Sequence, residues 1–129
     1  MLFSHTILYV ADVKASMTFY EKAFRLKPKF LHEEGVYGEM ETGATALAFA
    51  SNALGEQTLP KGFLKHSSSG NPQAVEIVFE TKDVDGAFSH AVEHGAIPLT
   101  EPQDMPWGQR MSRVRDCDGV IVEIASPMA

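Results

Sequence analysis

One imidazole and two carboxylates occupy places in this sequence where chemistry is expected of them. His5 opens an apolar strand, Glu76 opens a similar one 71 positions later, and Glu123 lies between Val122 and Ile124 near the end of the chain. Strand side chains alternate, so each strand divides into two faces. Thr6, Leu8 and Val10 share one face of the first strand, Val75, Ile77 and Phe79 one face of a later strand, and Val120, Val122 and Ile124 one face of the last. These sets belong under helices, which leaves His5, Glu76 and Glu123 together on the opposite side. Carboxylates in a half-buried hollow need a partner or a cation. A nitrogen and oxygen donor set of this kind suits Zn, Fe, Mn, Ni or Co, and three protein ligands leave positions open for substrate. Glu123 is then both a ligand and the candidate catalytic base. A second reading needs no cation. Antiparallel sheets commonly solvate one face, and Glu80 on this same side fits a wet surface.

The elements that position these residues come in two rounds. His5 to Val10 runs into Ala11-Asp12-Val13, and Glu76 to Glu80 runs into Thr81-Lys82-Asp83-Val84. Asp12 and Asp83 are predicted N-caps, since a carboxylate accepts from the free N–H groups of a first helical turn. Val13, Met17, Tyr20 and Phe24 make one helical stripe, and Val84, Phe88, Ala91 and Val92 another that Gly95 ends. The strands expected in the first round are 2–10, 30–33, 36–41 and 45–50. In the second they are 75–79, a short one at 97–99, 110–115 and 120–125, with 101–108 a loop. Each round reads βαβββ. The chain is therefore expected to be one α+β domain over 1–129, with module 1 at 1–50, a linker at 51–72 rich in Gly, Ser, Asn and Pro, and module 2 at 73–129. Two such modules are expected to enclose a cleft.

Four further residues are placed at that cleft. Leu47 and Phe49, on the fourth strand, are expected to line it with apolar surface. Arg113 is placed to meet an anionic substrate, or is a solvated or paired charge on a half-exposed strand. Trp107, in Pro106-Trp107-Gly108, is either a flat wall for a ligand or a lid on the core. Cys117 stands between Asp116 and Asp118, whose charges disfavour the thiolate, so it is not expected to be a nucleophile. His32, His66, His90 and His94 form no ligand spacing; His90 and His94 are four apart, but on a helix expected to face outward.

Composition excludes some partners. The net charge is −6 over 129 residues, and Lys and Arg do not cluster, which argues against nucleic acid or an anionic membrane surface. No apolar run has the length of a membrane span. The opening Met-Leu-Phe-Ser-His lacks the flank and apolar stretch of a secretory signal. With a single cysteine no internal disulfide can form, and a reducing cytoplasm is the expected compartment.

Taken in order, these residues resemble the vicinal oxygen chelate superfamily of glyoxalases, bleomycin-resistance proteins and dioxygenases. The likeness rests on His5 through Val13, Ser16 with Phe19-Tyr20, Asp83-Val84-Asp85 with Gly95-Ala96, Pro106 through Arg110, and Asp116-Cys117-Asp118-Gly119 followed by Val122-Glu123-Ile124. It covers nearly the whole chain. It implies paired βαβββ modules, a homodimer, and in metal-bearing members ligands on the first, fourth, fifth and eighth strands. Matching Gly43 to Gly119 puts those places at His5, Leu47, Glu76 and Glu123. Leu47 cannot ligate a metal, Glu76 replaces the usual histidine, and Cys117 replaces a proline.

Two functions follow from the resemblance. One is a glyoxalase-like, metal-dependent lyase or isomerase acting on a small oxygenated substrate. In it a divalent cation would act as Lewis acid and Glu123 would remove a proton beside a carbonyl. The other is a metal-free small-molecule-binding protein of the bleomycin-resistance kind, with no chemistry.

Overall fold

The computed structural model describes residues 1–128. The chain divides into two compact units, Met1–His66 and a second beginning at Ser67. In the first, β1 (His5–Val10) leads into α1 (Val13–Phe24), followed by β2 (Lys27–Leu31), β3 (Tyr37–Glu41), β4 (Ala46–Ser51) and α2 (Asn52–Thr58). In the second, β5 (Glu76–Glu80) leads into α3 (Val84–Glu93), then β6 (Ile97–Asp104), β7 (Arg110–Arg115) and β8 (Ile121–Ala125). The two sheets have one topology. Their orders are β1-β4-β3-β2 and β5-β8-β7-β6, each with its first and last strands parallel and its other pairs antiparallel. This α+β arrangement of two βαβββ units is the expected fold class.

The helices start where capping dictates. Asp12 Oδ1 accepts from the Ala15 N–H at 3.0 Å, and Asp83 Oδ1 accepts from the Gly86 N–H at 3.0 Å. α1 buries Val13, Met17 and Tyr20 against its sheet. Tyr20 is fully buried and meets Phe49 edge-on, with ring centroids 5.0 Å apart. α1 comes so close to β3 that a Cβ on Gly38 would collide with the Met17 sulfur. α3 buries Val84 and Ala91 in the same manner, and Gly95, at φ +103°, follows its end. The helix-side strand faces agree with the alternation read from sequence: Leu8, Val10, Val122 and Ile124 are all buried.

Two expected loops are ordered elements. The segment 51–72, read as a linker, begins with α2, whose N-cap Ser51 accepts from the Leu54 N–H at 3.1 Å. α2 covers part of the sheet face away from α1. A Cβ on Gly55 would come within 2.8 Å of Tyr9 and 2.9 Å of Phe63, and the Tyr9 and Phe63 rings lie 5.4 Å apart. The stretch 101–108 is not wholly loop, because β6 continues to Asp104. Pro102 hides its second half in the sequence. β6 is an edge strand, where a missing N–H is tolerated, and its pairing slips at 98/100 and 100/103.

Candidate functional site

Each sheet has one face under its helix and one face away from it, and the expected site residues divide between them. In the second unit, Glu123 is flanked by Val78 on β5 and Arg113 on β7. Strand pairing carries Glu76 to the same face. The three charged groups meet: Arg113 Nη2 donates to Glu123 Oε1 at 2.8 Å, and Arg113 Nε and Nη2 reach Glu76 Oε1 and Oε2 at 3.2 and 3.4 Å. The guanidinium thus lies between the two carboxylates. Burial pushes the Glu123 carboxyl above its ordinary pKa, the Glu76 charge adds to the shift, and Arg113 opposes it. Val78 stands beside this triad, 53% exposed.

In the first unit the equivalent row runs Ile7, Ala48, Glu39. Glu39 takes the place of Arg113. It is a buried carboxylate, and its Oε2 accepts from the Tyr37 hydroxyl at 2.7 Å and lies 3.2 Å from His5 Nε2. The other His5 nitrogen, Nδ1, is 2.8 Å from Ser4 Oγ. Burial, with the Glu39 carboxylate beside it, pushes the Tyr37 hydroxyl up to about 12, so it stays protonated as a donor. Phe30 and His32 extend the face, their rings 6.0 and 5.9 Å from Tyr37.

Several expected placements change. Leu47 and Phe49 do not line an open face. Both are buried on the side of Leu8, and Phe49 packs on Tyr20 beneath α1. The residue matching Glu123 is Ala48, five positions after Gly43, whereas Glu123 is four after Gly119. The glycines do not hold equivalent places in their turns: in the turn before β4 eight residues separate Glu39 from Ala48, where nine separate Arg113 from Glu123. The turn before β4 is closed by Thr42, whose hydroxyl donates to the Thr45 carbonyl at 2.7 Å and accepts from the Leu47 N–H at 3.0 Å. A slip of one residue turns every side chain to the other face, which is why a glycine match misplaces Leu47 and Phe49. Arg113 is not a free cation awaiting an anionic substrate, because two carboxylates hold it. Trp107 is no lid on the core. It is 59% exposed on the turn between β6 and β7, with its Nε1 donating to Gln109 Oε1 at 2.9 Å, and Gln109 is anchored on the Ser126 carbonyl at 2.8 Å.

Glu39 and Tyr37 went unread in the sequence. Splitting Tyr37-Gly38-Glu39-Met40-Glu41 by alternation separates Tyr37, Glu39 and Glu41 from Gly38 and Met40, and that was the available signal.

The donors expected to ligate a metal do not make a fitting set. Glu76 and Glu123 direct their oxygens at Arg113, and His5 is turned to Glu39. Among the described residues no group of three or more His, Cys, Asp or Glu could hold a metal ion. A cation at Glu76 and Glu123 would have to displace a guanidinium that already neutralises one of their charges. Among the same residues, no helix is long and apolar enough to cross a membrane.

Comparison with known proteins agrees with this architecture. The chain is 29% identical over 119 residues to the uncharacterized protein YraH of Bacillus subtilis (strain 168), covering 91% of each chain. Its fold matches a glyoxalase-related enzyme from Fulvimarina pelagi with a TM-score of 0.84 at 21% identity, over 98% of this chain and 88% of that one. It also matches a protein of unknown function from Agrobacterium tumefaciens str. C58 with a TM-score of 0.78 at 27% identity, over 98% and 94% of the two chains. The family model for the Glyoxalase/Bleomycin resistance protein/Dioxygenase superfamily matches residues 2–124, and the chain belongs to that superfamily.

Proposed function

We propose that this chain is a metal-free small-molecule-binding member of the superfamily, acting as a cytoplasmic homodimer. The observation that carries this reading is Arg113, lodged between Glu76 and Glu123 where a cation would be needed. A preformed triad of this kind offers directional donors and acceptors beside an apolar residue, Val78, and that mixture is what ligand sites use for orientation and affinity. Trp107 supports the same reading. Its ring is exposed and held in place through Gln109, a suitable platform for a planar compound. The homodimer reading is supported by the exposed apolar side chains of Ile97 and Leu99 on the edge strand β6, surface for a second copy to cover. Solution mass tests it: a dimer is expected, and a monomer at all concentrations contradicts it.

Ligand binding is tested by screening planar and polar aromatic compounds for quenching of Trp107, the single tryptophan. A binder is expected to lose affinity at least tenfold in Trp107→Ala and in Arg113→Leu. Retention of full affinity in both variants contradicts the reading.

One observation favours the lyase reading. Glu123 is a half-buried carboxyl with a raised pKa, the property a general base needs. In that reading Arg113 would withdraw, Glu76 and Glu123 would offer their oxygens to Zn, Ni, Co, Mn or Fe, and Glu123 would accept the substrate proton. Metal content of protein purified without chelator separates the two, when measured also on His5→Ala and Glu123→Gln.

A further inference from the structure

The first sheet turns an aromatic cluster away from α1. Strand pairing sets Phe30 beside Glu39, and Tyr37, two residues before Glu39, lies on the same side. The His32 N–H donates to the Tyr37 carbonyl at 3.0 Å, which carries the pairing one step further and brings His32 to this face as well. Three rings meet there. Phe30 and His32 are edge-on with centroids 5.5 Å apart, and Tyr37 lies 6.0 and 5.9 Å from them. Phe30 is 37% exposed and His32 is exposed, so ring surface is open to solvent. The face of an aromatic ring is negative, and it attracts cations that shed water easily.

Glu39 supplies the charge. It is buried, and a buried carboxylate needs a partner. Its Oε2 is shared by the Tyr37 hydroxyl and His5. Tyr37 brings a hydrogen bond and no charge, because its hydroxyl stays protonated. Among the described residues no lysine or arginine pairs with Glu39, and its Oε1 accepts no hydrogen bond. The second unit sets a guanidinium between its carboxylates, whereas here a carboxylate adjoins an aromatic cluster with no guanidinium or ammonium beside it.

We propose that Phe30, His32, Tyr37 and Glu39 form a binding site for an alkylated organic ammonium ion, with its methyl groups against the rings and its charge facing Glu39. A quaternary ammonium spreads its charge over its methyl groups and exchanges water for ring faces at little cost, which a bare ammonium does not. The site lies within the first unit and does not depend on the binding proposed for Arg113 and Trp107.

NMR titration of the full chain with choline tests it, read on the ring signals of Phe30, His32 and Tyr37. Dimethylbutanol, which has carbon in place of the quaternary nitrogen, and ammonium are titrated beside it. The expected result is saturable binding of choline, about tenfold tighter than either control, with those three rings perturbed. Affinity is expected to fall about tenfold in Glu39→Gln, which keeps an acceptor for Tyr37, and about threefold in Phe30→Leu, which keeps apolar bulk at an exposed position. An unchanged circular dichroism spectrum verifies that the variants fold, and the comparison of choline with dimethylbutanol needs no variant. Absence of saturable binding, equal affinity for dimethylbutanol, or full affinity in Glu39→Gln overturns the proposal. Perturbation confined to Trp107 does so too, and assigns the cation to the second unit.

Discussion

The two sheets are one scaffold carrying opposite charge. At the same position on the third strand of each unit stands Glu39 in the first and Arg113 in the second. In the first unit an anion is ringed by donors, Tyr37 and His5; in the second a cation is ringed by acceptors, Glu76 and Glu123. The residue between strands decides how each cluster closes. Ala48 is small, and Glu39 lies within reach of His5 over it, whereas Glu123 stands directly between Val78 and Arg113 and joins the network itself. The two units share one strand geometry and differ in the side chains placed on it. In each cluster the charged groups are paired within their own unit.

The comparison can be broken most severely through the register of β4. Phe49→Ala is expected to cost about 4 kcal/mol of stability, because it empties a fully buried site against Tyr20. Chemical denaturation measures it, and a loss below about 1 kcal/mol would return Phe49 to an open pocket. Arg113→Leu comes next. It leaves two carboxylates facing each other, and a loss of roughly 2 kcal/mol is expected once their partial exposure is discounted. The loss should shrink when Glu76→Gln is added, as a double-mutant cycle would read out; strict additivity would mean the triad is not a coupled unit.

The pH dependence distinguishes the two faces more finely. Glu123 has its pKa raised by burial and by Glu76, so the folded chain binds a proton that the unfolded chain has already lost. Stability from this group therefore falls as pH rises from the ordinary carboxylate range through the raised pKa, and the full cost is present above it. Glu123→Gln is expected to remove that fall, so the variant gains on the wild type across this window. Parallel stability curves would mean that Glu123 titrates normally. The smallest effect belongs to the first unit. Tyr37→Phe removes one donor from Glu39 and leaves His5 in place, and should cost roughly 1 kcal/mol.

Much of this was legible in the sequence, and the limits have physical causes. The repeat from His5 to Val13 and from Glu76 to Val84 gave both modules, both N-caps and the face on which Glu123 lies, because alternation and capping are local. The β4 faces were misread because the two turns differ in length by one residue, which inverts a strand, and a glycine match does not register it. β6 was cut short after Leu99 because Pro102 reads as a loop residue, although an edge strand accepts it. α2 was absorbed into a linker because Asn52–Thr58 has only seven residues, too few for a clear helical stripe. The pairing of Arg113 with both acids could not be read, since long side chains choose partners only after the sheet has brought them within reach.

The most direct test is the metal content of the chain and of its His5→Ala, Glu123→Gln and Arg113→Leu variants. The protein is loaded with Zn²⁺, Ni²⁺, Co²⁺ or Mn²⁺, exchanged into metal-free buffer and assayed by mass spectrometry. Less than a tenth of an equivalent is expected, rising when Arg113→Leu is added and frees Glu76 and Glu123. A full equivalent with Arg113 intact, lost in both His5→Ala and Glu123→Gln, would contradict the account.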